Sequence, residues 1–285
     1  MEKDNIRKPA VAGQFYPATK GGLKKNIDFL VNSPFVFNNG LGKPKFKSRT
    51  DAVACILPHA GYMYSGAVAG KTVNEIKVKD RVVLIGPNHT GNGAALSIMS
   101  EGSWLTPLGE VKIDSHLAKE LLKNCDLLQE DNLAHAYEHS LEVELPFLQY
   151  FNEKIEISPI IVLSEELSTL KEIGKKLGKT VKDLGIKDST LIIASTDMTH
   201  YEPYTLAQKK DREAIDAILA LDEDGLSQKV TRLNISMCGF AAVAIMLSAA
   251  KYLGAENAKL VEYQTSGDIT RDYSSVVGYA GIIIY

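Results

Sequence analysis

The chain has 285 residues, of which 45% are apolar and 24% are charged, which is typical of a globular protein with a sizeable core. Its net charge of −3 gives no electrostatic reason to expect nucleic acid as a partner, so we expect none. The longest apolar stretch, residues 239–250, is far shorter than the ~20 residues that span a bilayer, so we expect no membrane association.

The first residues of the chain and its cysteines both favour a cytoplasmic location. Residues 1–5 are polar and lack the apolar core of a signal peptide. The three scattered cysteines are too few for a disulfide framework, and an odd number suits a reducing compartment. We therefore expect a cytoplasmic protein.

Apolar runs typical of strands alternate with helical patterns along most of the chain. Residues 165–184 repeat apolar side chains along one helical face, whereas residues 238–253 are apolar nearly all round, which predicts a buried helix. The patterns predict, in chain order, a helix over residues 21–31, a strand over 52–57, a helix over 65–76, a strand over 82–85, a hairpin over 94–109, a helix over 115–123, a helix over 140–151, a strand over 157–162, a helix over 165–184, a strand over 191–194, helices over 205–221 and 238–253, and strands over 259–264 and 276–285.

This alternation predicts an α/β protein, a three-layer α/β/α sandwich with a central, largely parallel sheet. The sequence contains no repeat and no linker of disordered composition, so residues 1–285 are expected to form a single domain. Ser115 is the expected N-cap of its helix. Pro146 predicts a kink or a break in the helix over residues 140–151.

Three of the six histidines, His59, His89 and His200, follow predicted strands within a few residues. The carboxyl ends of parallel strands converge on one crevice, where α/β proteins bind ligands. Because imidazole is a common neutral ligand of transition metals, His59 and His89 are candidate metal ligands. The alternative is that each is a loop histidine hydrogen-bonded to backbone.

His200 also lies three residues after a carboxylate, that of Asp197. A carboxylate so close can fix the tautomer of an imidazole and raise its basicity, which suits a general acid or base. In the alternative interpretation Asp197 caps a helical turn and His200 only packs against its neighbours.

The remaining histidines give weaker indications. His139 lies beside Glu138 and is expected to line the crevice, whereas His135 is as well explained by packing as by chemistry. His116 falls in the first turn of an amphipathic helix and is expected on the surface.

Cys238 is the cysteine best placed for chemistry, because it starts the predicted buried helix. A helix N-terminus lowers the pKa of a thiol and favours the thiolate, which binds metals and attacks electrophiles. Cys55 lies inside a predicted strand and Cys125 follows a helix, so both are expected to be inert core thiols.

Six motifs distributed over the chain together resemble the Memo family. They run in order from the N-terminal region to the last quarter, so the resemblance covers essentially the full length. The motifs are Arg7-Lys8-Pro9-Ala10-Val11-Ala12-Gly13-Gln14-Phe15-Tyr16-Pro17, Pro58-His59-Ala60-Gly61-Tyr62, Gly86-Pro87-Asn88-His89, Glu138-His139-Ser140-Leu141-Glu142, Ser195-Thr196-Asp197-Met198-Thr199-His200-Tyr201 and Met237-Cys238-Gly239.

The fold of that family resembles the class III extradiol dioxygenases, non-haem iron enzymes that open catechol rings. The resemblance implies a crevice in which His59, His89 and Cys238 are metal ligands. It places Asp197 and His200 beside them, with His200 at the position of the dioxygenases' acid/base histidine. A thiol stands where those enzymes have a glutamate ligand, which argues against dioxygenase activity and makes copper or zinc competitors of iron.

The favoured hypothesis is a metal-binding protein that holds iron or copper and has redox or dioxygenase-like capacity, with His200, Asp197 and Cys238 as catalytic residues. Animal members of the family are described as cell-motility signalling and metal-binding proteins. Microbial relatives resemble one component of a set that includes a radical-SAM protein. The expected partners are therefore a small molecule or peptide in the crevice and a component of a radical-SAM system.

Two other hypotheses use the same crevice. In one, His59, His89 and Cys238 supply hydrogen bonds and shape to a pocket that binds a peptide or partner protein without turnover. In the other, Cys238 is a nucleophile and His200 is its base.

Overall fold

The computed structural model describes residues 5–32, 49–163 and 166–285, in which strands and helices alternate. The strands are β1 (Ile6–Arg7), β2 (Ala54–Leu57), β3 (Arg81–Pro87), β4 (Leu96–Ile98), β5 (Ser103–Thr106), β6 (Gly109–Ile113), β7 (Gln129–Glu130), β8 (Glu156–Val162), β9 (Thr190–Ser195), β10 (His200–Glu202), β11 (Ala258–Thr265) and β12 (Val276–Ile284). The α-helices are α1 (Lys20–Asn32), α2 (Tyr62–Glu75), α3 (Ser115–Asn124), α4 (Leu133–Ala136), α5 (Leu145–Phe151), α6 (Leu167–Asp183), α7 (Tyr204–Leu219), α8 (Glu223–Leu233), α9 (Phe240–Tyr252) and α10 (Ser266–Thr270).

One mixed sheet contains the twelve strands of the described ranges. Its order is β1-β5-β6-β8-β3-β9-β2-β12-β10, with β11 paired to β12, β4 to β8 and β7 to β4. The central strands β8, β3, β9 and β2 are parallel to one another. They are buried at nearly every position and rich in Val, Ile and Leu, as strands covered on both faces are. The predicted, largely parallel central sheet is confirmed.

Helices cover both faces of this sheet. Gly281 of β12 lies against Thr72 of α2, whereas Gly278 of the same strand lies against Asp211 of α7. Residues an odd number of positions apart on a strand face opposite sides. Helices α2 and α7 therefore cover opposite faces, which confirms the three-layer α/β/α sandwich.

Helices α6 and α9 pack closely because α6 has glycine at the contact. A Cβ atom on Gly174 would lie 2.4 Å from the carbonyl oxygen of Ile245, and one on Gly178 would lie 2.9 Å from Tyr252 Cβ. Helix α9 also packs on β9 and β3, and every residue from 242 to 250 is buried. The apolar character of α9 on all sides is thus explained by contact with the sheet on one side and with α6 on the other.

Some predicted helix starts and one predicted N-cap differ from the structure. The helix expected from residue 140 begins at Leu145, with Pro146 in its first turn, where a missing N–H breaks no helical hydrogen bond. The helix expected from Cys238 begins at Phe240. The N-cap of α3 is Asp114, not Ser115, because the Asp114 carboxylate accepts a hydrogen bond from the backbone N–H of Leu117.

Other differences lie in the short and polar elements. Helix α8 was not predicted, since within it only Glu223 and Leu226 are buried and no apolar period is visible. The predicted hairpin over 94–109 is displaced, because the antiparallel pair is β5 with β6. The predicted start of α6 at residue 165 lies outside the described residues. No helix within the described ranges is long and apolar enough to cross a membrane.

The α6–α9 contact gives a prediction about stability. We expect Gly174→Ala to destabilise the protein by about 1–3 kcal/mol, because the new methyl group must push the two backbones apart. The control is Gly21→Ala in α1, where a Cβ would meet no atom within 4 Å. That change is expected to stabilise the protein by up to about 1 kcal/mol, because alanine favours helix. Urea unfolding measures both, and equal shifts would contradict the packing argument.

Candidate metal centre

The loops that follow β2, β3 and β9 meet above the sheet. These strands are neighbours in the order β3-β9-β2, so their carboxyl ends lie side by side. The loops border a cavity of about 720 Å³. All five residues singled out from the sequence line this cavity, namely His59, His89, Asp197, His200 and Cys238.

Three imidazoles cluster at one end of the cavity. His59, His89 and His139 each place one ring nitrogen so that the three atoms lie within 4.8 Å of one another. His89 and His139 stack with their ring centroids 4.7 Å apart, and His59 meets both rings edge to face. His139 was expected only to line the crevice, and the structure brings it into the cluster itself.

Cys238, two residues before α9, contacts one member of this cluster. Its Sγ lies 3.4 Å from Nε2 of His59, although the two residues are 179 positions apart. Gly239 makes this approach possible, because a Cβ there would lie 2.3 Å from the carbonyl oxygen of Ser195. The sulfur of Cys238 therefore contacts one of the two imidazoles with which the sequence grouped it, that of His59, and the meeting of all three side chains at one ion stays a prediction.

Contacts of the His59 ring at Nδ1 orient its other nitrogen, Nε2, towards the cavity. His59 is buried, and its Nδ1 lies 2.8 Å from the hydroxyl oxygen of Ser195. Its backbone N–H donates to Oδ1 of Asp197 at 2.9 Å. Burial lowers the pKa of the His59 imidazole well below its usual range, and the neighbouring imidazoles of His89 and His139 lower it further. His59 is thus a neutral ring with Nε2 towards Cys238.

Glu138 holds the other two imidazoles. Its fully buried carboxylate lies 2.9 Å from Nδ1 of His89 and accepts hydrogen bonds from the backbone N–H groups of His89, His139 and Ser140. Burial raises the pKa of Glu138, but the hydrogen bond and charge of His89 outweigh it and bring the pKa down to about 2. This carboxylate orients His89 in the way that carboxylates orient metal-ligating histidines.

The environment of the Cys238 thiol corrects one prediction. The expectation was a thiol pKa lowered by the helix N-terminus, but burial and the charge of Asp197 raise it to about 12. The helix begins two residues later, at Phe240, and the hydrogen bond from the backbone N–H of Asp197, 3.3 Å from Sγ, lowers the thiol pKa by less than burial and the charge of Asp197 raise it. Without a metal ion the residue is therefore a thiol at neutral pH.

His200 is oriented by backbone rather than by the nearby carboxylate. Its Nδ1 lies 2.8 Å from the carbonyl oxygen of Met198 and 2.9 Å from that of Ser236. Both are acceptors only, so Nδ1 carries a hydrogen and donates it, and the ring lines the cavity. Asp197 caps the backbone of His59, and burial raises the pKa of its carboxyl above the usual range.

The other histidines and cysteines lie away from the cavity. His135 is fully buried against Trp104, and burial lowers its pKa to about 3. His116 is exposed, as expected. Cys55 and Cys125 are buried, and burial raises the pKa of both thiols, which agrees with inert core residues.

A buried ion pair between Arg7 and Glu142, which the sequence did not indicate, connects the N-terminal segment to the site. Arg7 donates to Glu142 at 2.7 Å and to the carbonyl oxygens of His135 and Glu138, with both charged side chains almost fully buried. Glu142 also accepts from Tyr16 and from the backbone N–H groups of residues 10 and 11. The segment so held carries Phe15, whose ring packs 4.9 Å from that of His139.

We expect Glu142→Gln to cost about 3–5 kcal/mol of stability, because it leaves the buried guanidinium of Arg7 without a counter-ion. Urea unfolding measures the loss. The control is Lys179→Met, which removes an exposed ion pair with Asp183 and is expected to leave the unfolding midpoint unchanged. A small effect of Glu142→Gln, equal to that of the control, would show that the ion pair does not fasten the segment.

Comparison with known proteins agrees with the resemblance seen in the motifs. A family model described as Memo-like protein matches residues 7–283. A MEMO1 family protein of Methanopyrus kandleri is 44% identical over 97% of this chain and 98% of its own length. One of Methanocaldococcus jannaschii is 42% identical over 99% of each chain.

The fold also occurs among solved structures. An uncharacterized protein of Escherichia coli has a similar fold, with a TM-score of 0.53, 14% identity, and coverage of 81% of this chain and 98% of its own. At that identity the likeness concerns the fold alone. The match of the family model over nearly the whole sequence, together with relatives above 40% identity, shows that the chain belongs to the Memo family.

Proposed function

We propose that this protein binds a transition metal ion, iron or copper, through His59, His89 and Cys238. The observation that carries the proposal is the approach of Cys238 Sγ to within 3.4 Å of His59 Nε2, where the His59 ring itself clusters with the imidazoles of His89 and His139. Two imidazoles and a sulfur form a donor set that suits iron, copper and zinc and does not suit calcium or magnesium.

The residues around the cluster fit a metal as well. Ligating histidines need their second ring nitrogen held by a hydrogen-bonding partner. Ser195 fills that role for His59, and Glu138 fills it for His89. The raised thiol pKa of Cys238 is compatible with ligation, because a coordinated metal ion deprotonates a thiol outright.

His139 is a further candidate ligand and could take the place that the proposal gives to Cys238. Its ring nitrogen is close enough to the other two imidazoles to join the ligand set. Its Nδ1 lies 3.4 Å from Oε1 of Glu138. The same oxygen lies closer, at 2.9 Å, to Nδ1 of His89. We propose that His139 adds a fourth donor or supports His89, with Cys238 as the third ligand.

The bound ion would supply redox or Lewis-acid chemistry to a small molecule in the cavity. His200 and Asp197 lie beside that position, and Nε2 of His200, whose Nδ1 donates to backbone, would hold or move a proton on the ligand. The carboxyl of Asp197, with a raised pKa, is suited to share that proton. These roles support a metal-dependent oxidoreductase, with Cys238 in place of the carboxylate ligand of the dioxygenases.

A second candidate function follows from the aromatic wall of the cavity. Phe15, Tyr64, Tyr201 and Tyr279 line it; Tyr201 is 78% exposed, Phe15 and Tyr64 are half-buried and Tyr279 is buried. An exposed aromatic side chain beside a pocket, such as that of Tyr201, favours the binding of a peptide or partner protein. In this version the cavity binds its ligand without turnover.

We expect His59→Ala and Cys238→Ala to lose most of the metal that copurifies with the protein, because each removes a ligand. Elemental analysis of protein purified without added metal measures the content. His116→Ala, at an exposed histidine outside the cavity, is the control and should retain the wild-type metal content. Unchanged metal in both site variants would overturn the proposal.

The same measurement distinguishes a site formed with Cys238 from one formed by three imidazoles, and a chelator test distinguishes metal binding from partner binding. If His139→Ala loses the metal and Cys238→Ala keeps it, the three imidazoles and not the sulfur form the site. A partner protein whose binding survives removal of the metal by a chelator would favour the recognition pocket.

A further inference from the structure

Tyr201, which lines the cavity, has an unusual backbone conformation. Its φ is +58°, in the left-handed region that bulky residues rarely adopt. Three other non-glycine residues in the described ranges have a positive φ, namely Leu221, Asn234 and Arg271, and each stands at the end of a helix, where this conformation is common. Tyr201 lies instead in strand β10, so its conformation needs a different explanation.

A β-bulge gives Tyr201 this conformation. His200 pairs with Val277 of β12 and Glu202 pairs with Val276, so the residue between them is one more than the ladder accommodates. Bulges are frequent next to binding sites, where they re-aim a side chain, and an extra residue with positive φ is usually glycine. Here the extra residue is a tyrosine, so the strand carries a strain that glycine would relieve.

Contacts on both sides of Tyr201 hold the bulge in place. The backbone N–H of His200 donates to Oγ of Ser236 at 2.7 Å. Glu202 forms a largely buried ion pair with Lys210, which also donates to a backbone carbonyl oxygen at 3.0 Å. The Tyr201 ring is 78% exposed, and its centroid lies 5.7 Å from that of His200. The strain is therefore not compensated by packing of this ring in the core.

The lining of the cavity indicates the kind of ligand that the ring would contact. The cavity volume of about 720 Å³ is within the range of small-molecule sites. Four histidines line it, whereas no lysine or arginine of the described ranges does. Aromatic side chains make up another part of the lining, namely Phe15, Tyr64 and Tyr279 besides Tyr201. Such a lining suits a small molecule with a polar head for the imidazoles and a flat, uncharged body.

We propose that Tyr201 is a specificity-determining residue, whose ring packs on the flat, uncharged body of a small molecule bound in the cavity. Aromatic rings gain energy beyond burial when they stack on, or meet edge to face, another ring. Because the bulge places the ring in advance, little conformational freedom is lost on binding. The placement of the polar head at a metal ion rests on the proposed function, whereas the strain and exposure of Tyr201 are properties of the metal-free protein.

Substitutions of Tyr201 separate the strain from the ring. Glycine removes both, alanine removes the ring but keeps a Cβ in the left-handed conformation, and phenylalanine keeps both. We expect the urea midpoint of Tyr201→Gly to lie above that of Tyr201→Ala, because glycine adopts this φ without strain. A midpoint of Tyr201→Gly at or below that of Tyr201→Ala would overturn the inference, since the bulge would then carry no strain.

The second test compares three hydroxamic acids by calorimetry on the Zn²⁺-loaded protein. They share a metal-binding head, and their bodies are a methyl group (acetohydroxamic acid), a flat ring (benzohydroxamic acid) and a puckered ring of similar size (cyclohexanecarbohydroxamic acid). We expect Tyr201→Ala and Tyr201→Gly to weaken binding of the flat ring by roughly 3–10-fold and that of the methyl and puckered compounds by less than about twofold. Tyr201→Phe should keep the wild-type affinities.

The control for this test is Tyr285→Ala, at an exposed tyrosine that does not line the cavity, and it should leave all three affinities unchanged. Equal losses for the flat and the puckered ring in Tyr201→Ala would overturn the proposal, because burial alone would then explain the contact. An undiminished affinity for the flat ring would overturn it as well.

Metal-free protein keeps the failure of this proposal distinct from that of the metal site. If no hydroxamic acid binds the Zn²⁺-loaded protein, the metal proposal fails, and NMR of the metal-free protein decides the role of Tyr201. Its ring signals, assigned by their loss in Tyr201→Phe, should then shift with benzohydroxamic acid and not with the puckered compound. Ring signals that stay unshifted in that case would overturn the role of Tyr201.

Discussion

The carboxylate of Glu138 is the contact on which the geometry of the site depends. It joins the loop after β3 to the turn before α5. It accepts hydrogen bonds from His89 in the loop and from the backbone N–H groups of His139 and Ser140 before the helix. A buried charge is stable only where several donors compensate its lost hydration, and here the donors include the two imidazole-bearing residues themselves. The position of His89 and the position of His139 are therefore set by one group. Arg7 extends the same arrangement to the N-terminal segment through the carbonyl oxygen of Glu138.

The parts of the fold with a clear period were predictable from the sequence. The buried strands β3, β8 and β9 and the amphipathic helix α6 appear where the apolar pattern placed them, and the strand order brings His59, His89 and Asp197 to one edge of the sheet. The reason is physical: the carboxyl ends of neighbouring parallel strands cannot be far apart. The single-domain organisation and the catalytic roles stay predictions.

The sequence was least informative between residues 138 and 144, where carboxylates alternate with apolar side chains. This stretch has a helix-like composition, but it forms turns because Glu138, Glu142 and Glu144 each find partners outside any helix. Those partners are distant in sequence, so no local pattern reveals them. The thiol pKa of Cys238 was mispredicted for a related reason, since burial and Asp197 are tertiary effects that outweigh the helix N-terminus.

The central claim is that His59, His89 and Cys238 bind one metal ion, and X-ray diffraction at the absorption edge of the metal tests it most directly. Crystals of the protein loaded with Zn²⁺ should show a single anomalous peak in the cavity. The peak should lie about 2.0–2.1 Å from a ring nitrogen of each imidazole and about 2.3 Å from Sγ of Cys238. A peak bound by His59, His89 and His139 with the sulfur out of contact would contradict the ligand assignment, and a cavity without a peak would contradict the account as a whole.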